Sequence, residues 1–119
     1  MNLSVSFESA VEAHKQGKVV EAEKIYKQLY DNRILSPALF MNLGAIYRQS
    51  NRIDEAKALL EQGSQMFSSE SGIWNNLGNI YLDLGSHAQA LLSFRSALLL
   101  SPSAIDPKIS CIAALKALN

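Results

Sequence analysis

The chain is predicted to be all-α, with three antiparallel helix pairs in a row and a closing helix behind them. Three observations predict this. At an offset of 34 residues, Leu43-Gly44-x-x-Tyr47 falls on Leu77-Gly78-x-x-Tyr81. Strand-favouring β-branched residues are scarce apart from nine Ile: Thr is absent and Val appears four times, against 17 Leu and 14 Ala. The apolar residues also recur at i, i+3, i+4 and i+7, the spacing of one helix face.

The expected division is a single domain over 1–119, with copies of the repeat at 3–36, 37–70 and 71–104 and a closing helix over 106–118. The first copy keeps Gly17, Ala22 and Tyr26 in its second half, where a helix over 19–32 carries Ile25 and Leu29. Its first half has Ser6, Ser9, Ala10 and Ala13 where the later copies place an aromatic, Leu, Gly and Tyr. Ser36-Pro37 then reads as a break. In the second copy, Asn51 stands where the third has Gly85, and both residue types tolerate the left-handed conformation that ends a helix. A second helix over 53–67 follows, with Leu59 and Leu60 apolar.

In the third copy, Trp74, Leu77, Gly78 and Tyr81 form one stripe. A glycine there costs roughly 1 kcal/mol relative to alanine, so Gly78 is expected to let a neighbouring helix approach closely. The partner helix is expected over 87–100, with Leu91, Phe94 and Leu98, and Ser101-Pro102-Ser103 breaks the chain again. Asp106-Pro107 reads as an N-cap followed by Pro at the first helical position. Cys111 and Ile112 take the Leu and Gly positions of that last helix, which has few polar residues. A terminal unit of a stack is expected to be polar outside, so this end reads as unfinished.

Trp74-x-x-Leu77-Gly78-x-x-Tyr81, then Ala90-x-x-x-Phe94 and Pro102, resembles the tetratricopeptide repeat (TPR) at every signature position. The second copy keeps Leu43, Gly44, Tyr47 and Ala56, with Phe40 for Trp, Leu60 for Phe, Gly63 for Ala and Ser68 for the closing Pro. The resemblance covers residues 3 to 118 and implies a right-handed TPR solenoid.

Composition and motifs exclude several function classes. Eleven basic residues balance eleven acidic ones, so the positive charge that dominates nucleic-acid binding is missing. No apolar run approaches a membrane span and the N-terminus has no basic leader, which predicts a soluble, cytoplasmic chain with no membrane partner. His14 and His87 stand in no metal-ligand spacing, and the single Cys111 reads as a small buried hydrophobe. The glycines form no phosphate loop and the serines no nucleophile elbow. A non-enzymatic chain without metal or cofactor is the expectation.

Stacked helix pairs present their first helices on a concave face that binds peptide segments. From the TPR resemblance, the inward residues are Phe7, Glu8, Val11, His14 and Lys15, then Met41, Asn42, Ala45, Arg48 and Gln49, then Asn75, Asn76, Asn79, Leu82 and Asp83. The charges are mixed. Asn42 and Asn76 lie one repeat apart, so their amides are expected roughly 8–10 Å apart on adjacent helices. That distance matches about three residues of extended chain. Amides both donate and accept, so such a row, extended by Asn79, can pair with peptide backbone whatever its side chains. The row is similar to the asparagine-lined TPR superhelix of protein O-GlcNAc transferases. The expected function is therefore a protein-interaction module or adaptor, binding through Asn42, Asn76, Asn79 and Arg48, with Met41, Gln49 and Asn75 beside them.

The co-chaperone clamp, another use of three TPRs and a closing helix, requires Lys, Asn, Asn, Lys and Arg at five inward positions. Here these read Phe7, Val11, Asn42, Gly72 and Asn76, a single match that argues against gripping a terminal carboxylate. Two alternatives concern assembly. The last helix could pair with a second copy through Ile109, Ile112 and Leu115, or the chain could be the substrate-docking arm of a larger enzyme such as a glycosyltransferase.

Overall fold

Residues with left-handed backbone punctuate the chain at Gly17 (φ 79°), Arg33 (φ 59°), Asn51 (φ 62°) and Gly85 (φ 76°). Each follows a helix, and the next residue's N–H closes the end: Lys18 on the Ala13 carbonyl at 2.8 Å, Ile34 on Leu29 at 2.9 Å, Arg52 on Tyr47 at 2.7 Å and Ser86 on Tyr81 at 2.8 Å. These are six-to-one closures that satisfy carbonyls the helix leaves free. Gly17, Asn51 and Gly85 recur at the 34-residue offset found in the sequence. Arg33 adopts the same conformation without the freedom of Gly or the local hydrogen bonding of Asn.

The computed structural model describes the backbone of residues 3–103 and 105–118, and the side chains of residues 6–103, 107, 108, 110–112, 114–116 and 118. Among the described residues the helices are α1 (Leu3–Lys15), α2 (Val19–Asp31), α3 (Pro37–Gln49), α4 (Ile53–Met66), α5 (Ser71–Asp83), α6 (His87–Leu100) and α7 (Ile105–Leu118). The second helices α2, α4 and α6 lie within a residue of the spans predicted for them. The last helix starts earlier than expected. Asp106 and Pro107 are its second and third residues, not its cap and first residue. Proline fits there because first-turn N–H groups have no intrahelical acceptor. At the Ser36-Pro37 break, Ser36 Oγ accepts the Leu39 N–H at 3.2 Å, and Pro37 opens α3.

The first helices α3 and α5 each bury two faces. In α3, Leu39, Leu43 and Ile46 are buried, as are Phe40, Gly44 and Tyr47. The Phe40, Gly44 and Tyr47 face lies against α4: a Cβ on Gly44 would stand 2.9 Å from Leu60 Cγ, and one on Gly63 would stand 2.9 Å from Phe40 Cγ. In α5 a Cβ on Gly78 would come within 2.5 Å of the Phe94 ring. That is the close approach expected of Gly78. Ser68, in the place of the closing proline, accepts the Trp74 indole N–H at 2.9 Å, which anchors the turn between the second and third pairs.

Stacking the pairs gives a body of 51 × 26 × 23 Å. Its core runs along the stack, with Tyr26, Leu60 and Phe94 fully buried at equivalent positions of the three second helices. Among the described residues no helix is long and apolar enough to cross a membrane.

Candidate functional site

Depressions open between the inward sides of α1, α3 and α5. Between α3 and α5 lies a shallow, open pocket lined by Gly44, Ala45, Arg48, Gln49, Asn76 and Asn79, with Leu60 and Ile80 below. Between α1 and α3, Val11, His14, Lys15, Tyr26 and Asn42 line a second. The structure thus brings Arg48, Gln49, Asn76 and Asn79 together, and places Asn42, also on α3, in the neighbouring depression beside α1.

The polar side chains are partly committed. Asn42 Nδ2 donates to the Tyr26 hydroxyl at 3.1 Å, and Asn76 Nδ2 makes a long contact of 3.5 Å with the Met41 carbonyl. An amide has two N–H groups and an oxygen with two lone pairs, so each keeps capacity for an incoming chain. Burial raises the Tyr26 phenol above its ordinary pKa, opposed by the Asn42 contact, so Tyr26 stays neutral and holds the Asn42 amide. Met41 fills the space over Gly72 on α5: a Cβ on Gly72 would lie 2.5 Å from its sulfur. Asn75 Oδ1 is buried without a hydrogen-bond partner.

Arg48 is not a free cation. Its Nε and Nη2 donate to the two carboxylate oxygens of Asp83 at 2.5 and 3.1 Å, a fork that spans α3 and α5. The Asp83 hydrogen bonds raise the Arg48 pKa further, with burial opposing. Gln49, Asn51 and Ile53 continue the surface beside this pair toward the outer edge of the face. Both partners were among the inward residues read from the sequence. Their pairing was not, because it depends on the offset between adjacent first helices. The role of Tyr26 was missed as well: its position promised only an aromatic core residue, and its hydroxyl is what reaches Asn42.

A second arginine works outside the groove. Arg52 forks onto both oxygens of Glu23, linking α2 to the start of α4, while its guanidinium lies 4.6 Å from the centre of the Tyr47 ring. The Arg52 hydrogen bonds hold the Glu23 carboxyl below its ordinary range, against a smaller opposing effect of burial.

Among the described residues no three His, Cys, Asp or Glu side chains gather as a metal site. Cys111 is buried in α7, and burial pushes its thiol above the ordinary value. Of the three residues suggested for self-association, Ile112 and Leu115 are exposed, and Ile109 lies outside the described side chains.

Comparison with known proteins supplies the family. The model for the tetratricopeptide repeat matches residues 41–107, more than half of the chain. The chain belongs to the tetratricopeptide repeat family. The TPR chain is 29% identical over 84 residues to tetratricopeptide repeat protein 8 of Caenorhabditis elegans, a match that covers 69% of this chain and 17% of that protein's length. Among solved structures, the first TPR of Spaghetti (RPAP3), bound to the HSP90 peptide SRMEEVD, superposes with a TM-score of 0.91 at 21% identity over 98% of this chain and 92% of the other. The TPR domain of Arabidopsis OM64 gives 0.88 at 18% identity, covering 96% of this chain and 94% of that one. The Sgt2 TPR domain of Aspergillus fumigatus gives 0.88 at 15% identity, over 98% and 78%. The fold is thus the right-handed TPR solenoid that the repeat implied.

Proposed function

We propose that this TPR chain is a protein-interaction module, without catalytic activity of its own, that holds an extended protein segment along its concave face. The observation that carries the reading is the amide-lined pocket between α3 and α5, where Gln49, Asn76 and Asn79 surround a floor of Gly44 and Ala45. Small floor residues admit a backbone closely, and amides pair with peptide N–H and C=O groups. Because Arg48 is neutralised by Asp83, the pocket favours an uncharged stretch of chain over an acidic or basic one. Asn42 continues the row toward α1, and Met41 and Asn75 support it from the neighbouring positions.

The test is affinity capture from a lysate of the source cell with wild-type protein beside Asn42→Ala/Asn76→Ala and Asn79→Ala, and with circular dichroism to establish that each variant stays folded. A partner retained by wild type and lost by the folded variants supports groove binding. Equal retention by all of them would remove these asparagines from the site.

A further inference from the structure

The depressions between α1 and α3 and between α3 and α5 are the same site one repeat apart. Val11, His14, Lys15, Tyr26 and Asn42 line the first, and each stands 34 residues before a residue that lines the second: Ala45, Arg48, Gln49, Leu60 and Asn76. The exchanges between them change the chemistry. In the α3–α5 pocket the cation is neutralised, because Arg48 forks onto Asp83. One repeat earlier, Gln49 takes the place of Asp83 and Lys15 that of Gln49, so a cation lines this depression and no carboxylate does.

Among the described residues Lys15 makes no ion pair. The acidic residues of α1 and α2 nearest to it are placed or engaged elsewhere: Glu8 lies about two turns back along α1, Glu12 accepts from Gln16, and Glu23 is held by Arg52. Tyr26, in the place of Leu60, adds a polar group. Its side chain is fully buried and its hydroxyl oxygen accepts from Asn42, which leaves the phenol O–H itself without an acceptor among the described residues.

We infer that the depression between α1 and α3 holds a carboxylate side chain of the bound segment, about three residues along from a short apolar side chain seated in the α3–α5 pocket. This rests on the groove-binding reading above and adds the chemistry of the segment. A carboxylate offers only acceptors, and the donors left open here are the Lys15 ammonium, the Tyr26 O–H and the second N–H of Asn42. In the α3–α5 pocket an acidic side chain would instead meet the Asp83 carboxylate and an arginine already paired. That pocket has Gly44 and Ala45 over Leu60 and Ile80, a surface for a side chain of alanine size. The spacing comes from the stack, since adjacent first helices lie roughly 8–10 Å apart and an extended chain crosses that distance in about three residues.

The test titrates the full chain by fluorescence anisotropy with two end-blocked peptides of about ten residues, uncharged except for one glutamate at i−3 or at i+3 of a central alanine. Blocked ends leave the side chain as the only carboxylate. One of the two is expected to bind saturably, because the segment runs one way along the groove. Exchanging its glutamate for glutamine should weaken it about five- to tenfold, less so at high salt, and Lys15→Glu should abolish the preference for glutamate. Tyr26→Phe, which keeps the ring, should weaken the glutamate peptide and leave the glutamine peptide unchanged. Asn76→Ala should weaken both alike. Binding that needs Asn76 but ignores the glutamate exchange and Lys15→Glu overturns the inference and leaves the groove reading standing. Binding that follows a glutamate to any position and ignores Asn76→Ala is general attraction to a lysine and overturns it too. Absence of saturable binding by either peptide also overturns the carboxylate assignment, and the lysate capture then decides the groove reading by itself.

Discussion

Gly72 and Gly78 lie six residues apart in α5, and a methyl group added to either meets a neighbouring atom at 2.5 Å. The neighbours decide the outcome. At Gly78 the obstacle is the Phe94 ring, fully buried and unable to move, so Gly78→Ala should destabilise the fold by about 1–3 kcal/mol. At Gly72 it is the flexible thioether of Met41, so Gly72→Ala should be neutral or stabilise by up to about 1 kcal/mol from helix propensity. Urea unfolding of the two variants measures both. Tyr81 offers a pH test. Burial, then the hydrogen bond to Glu61, pushes its phenol from an ordinary 10.0 up to about 12. A phenol raised on folding contributes stability that is complete below pH 10 and declines as pH rises toward 12. Ultraviolet titration should show Tyr81 among the tyrosines that ionise late, and Tyr81→Phe should reduce that late fraction and flatten the alkaline loss of stability.

At the scale of elements, the helices were legible because their signals are local. Ser36 and Pro37 at the start of α3 show this: one side chain accepts an N–H and one ring presets φ. Ser36→Ala should cost about 1 kcal/mol by thermal or chemical unfolding. The positions of Gly17, Asn51 and Gly85 in the repeat likewise marked helix ends from composition alone. The start of α7 was read a residue late, since Asp-Pro has the residue types of a cap and first position and also fits within a first turn. The site was less legible than the helices. Which residues face inward followed from the repeat, but the Arg48–Asp83 fork needs the stagger of α3 against α5. Both side chains keep solvent access, so a double-mutant cycle on this pair should give only about 0.5 kcal/mol, diminishing with salt.

At the scale of the whole molecule, resemblance of fold and resemblance of groove separate. The solenoid superposes on a domain that is bound to the HSP90 peptide SRMEEVD, with a TM-score of 0.91. Yet the positions that would grip the terminal carboxylate hold Phe7, Val11, Asn42, Gly72 and Asn76. Phe7 packs edge-on against Tyr26 with ring centres 6.0 Å apart, and Gly72 lies under Met41, so neither supplies a charge. Titrating this peptide by calorimetry should give no binding in the micromolar range, and an amidated C-terminus should change nothing. Measurable affinity that depends on the free carboxylate would contradict the neutral pocket proposed above.

The sequence by itself determined the all-α class, the 34-residue period, most helix ends and the family, because these depend on residue type at fixed spacing along the chain. Even the close approach at Gly78 could be anticipated, since an unfavourable glycine inside a helix stripe needs a packing reason. Tertiary structure decided what the side chains do once the repeats are stacked. It tied Asn42 to Tyr26 and neutralised Arg48 with Asp83. It also left Ile112 and Leu115 uncovered at the end of the stack. These outcomes depend on the distance and stagger between helices, which a one-dimensional pattern does not contain.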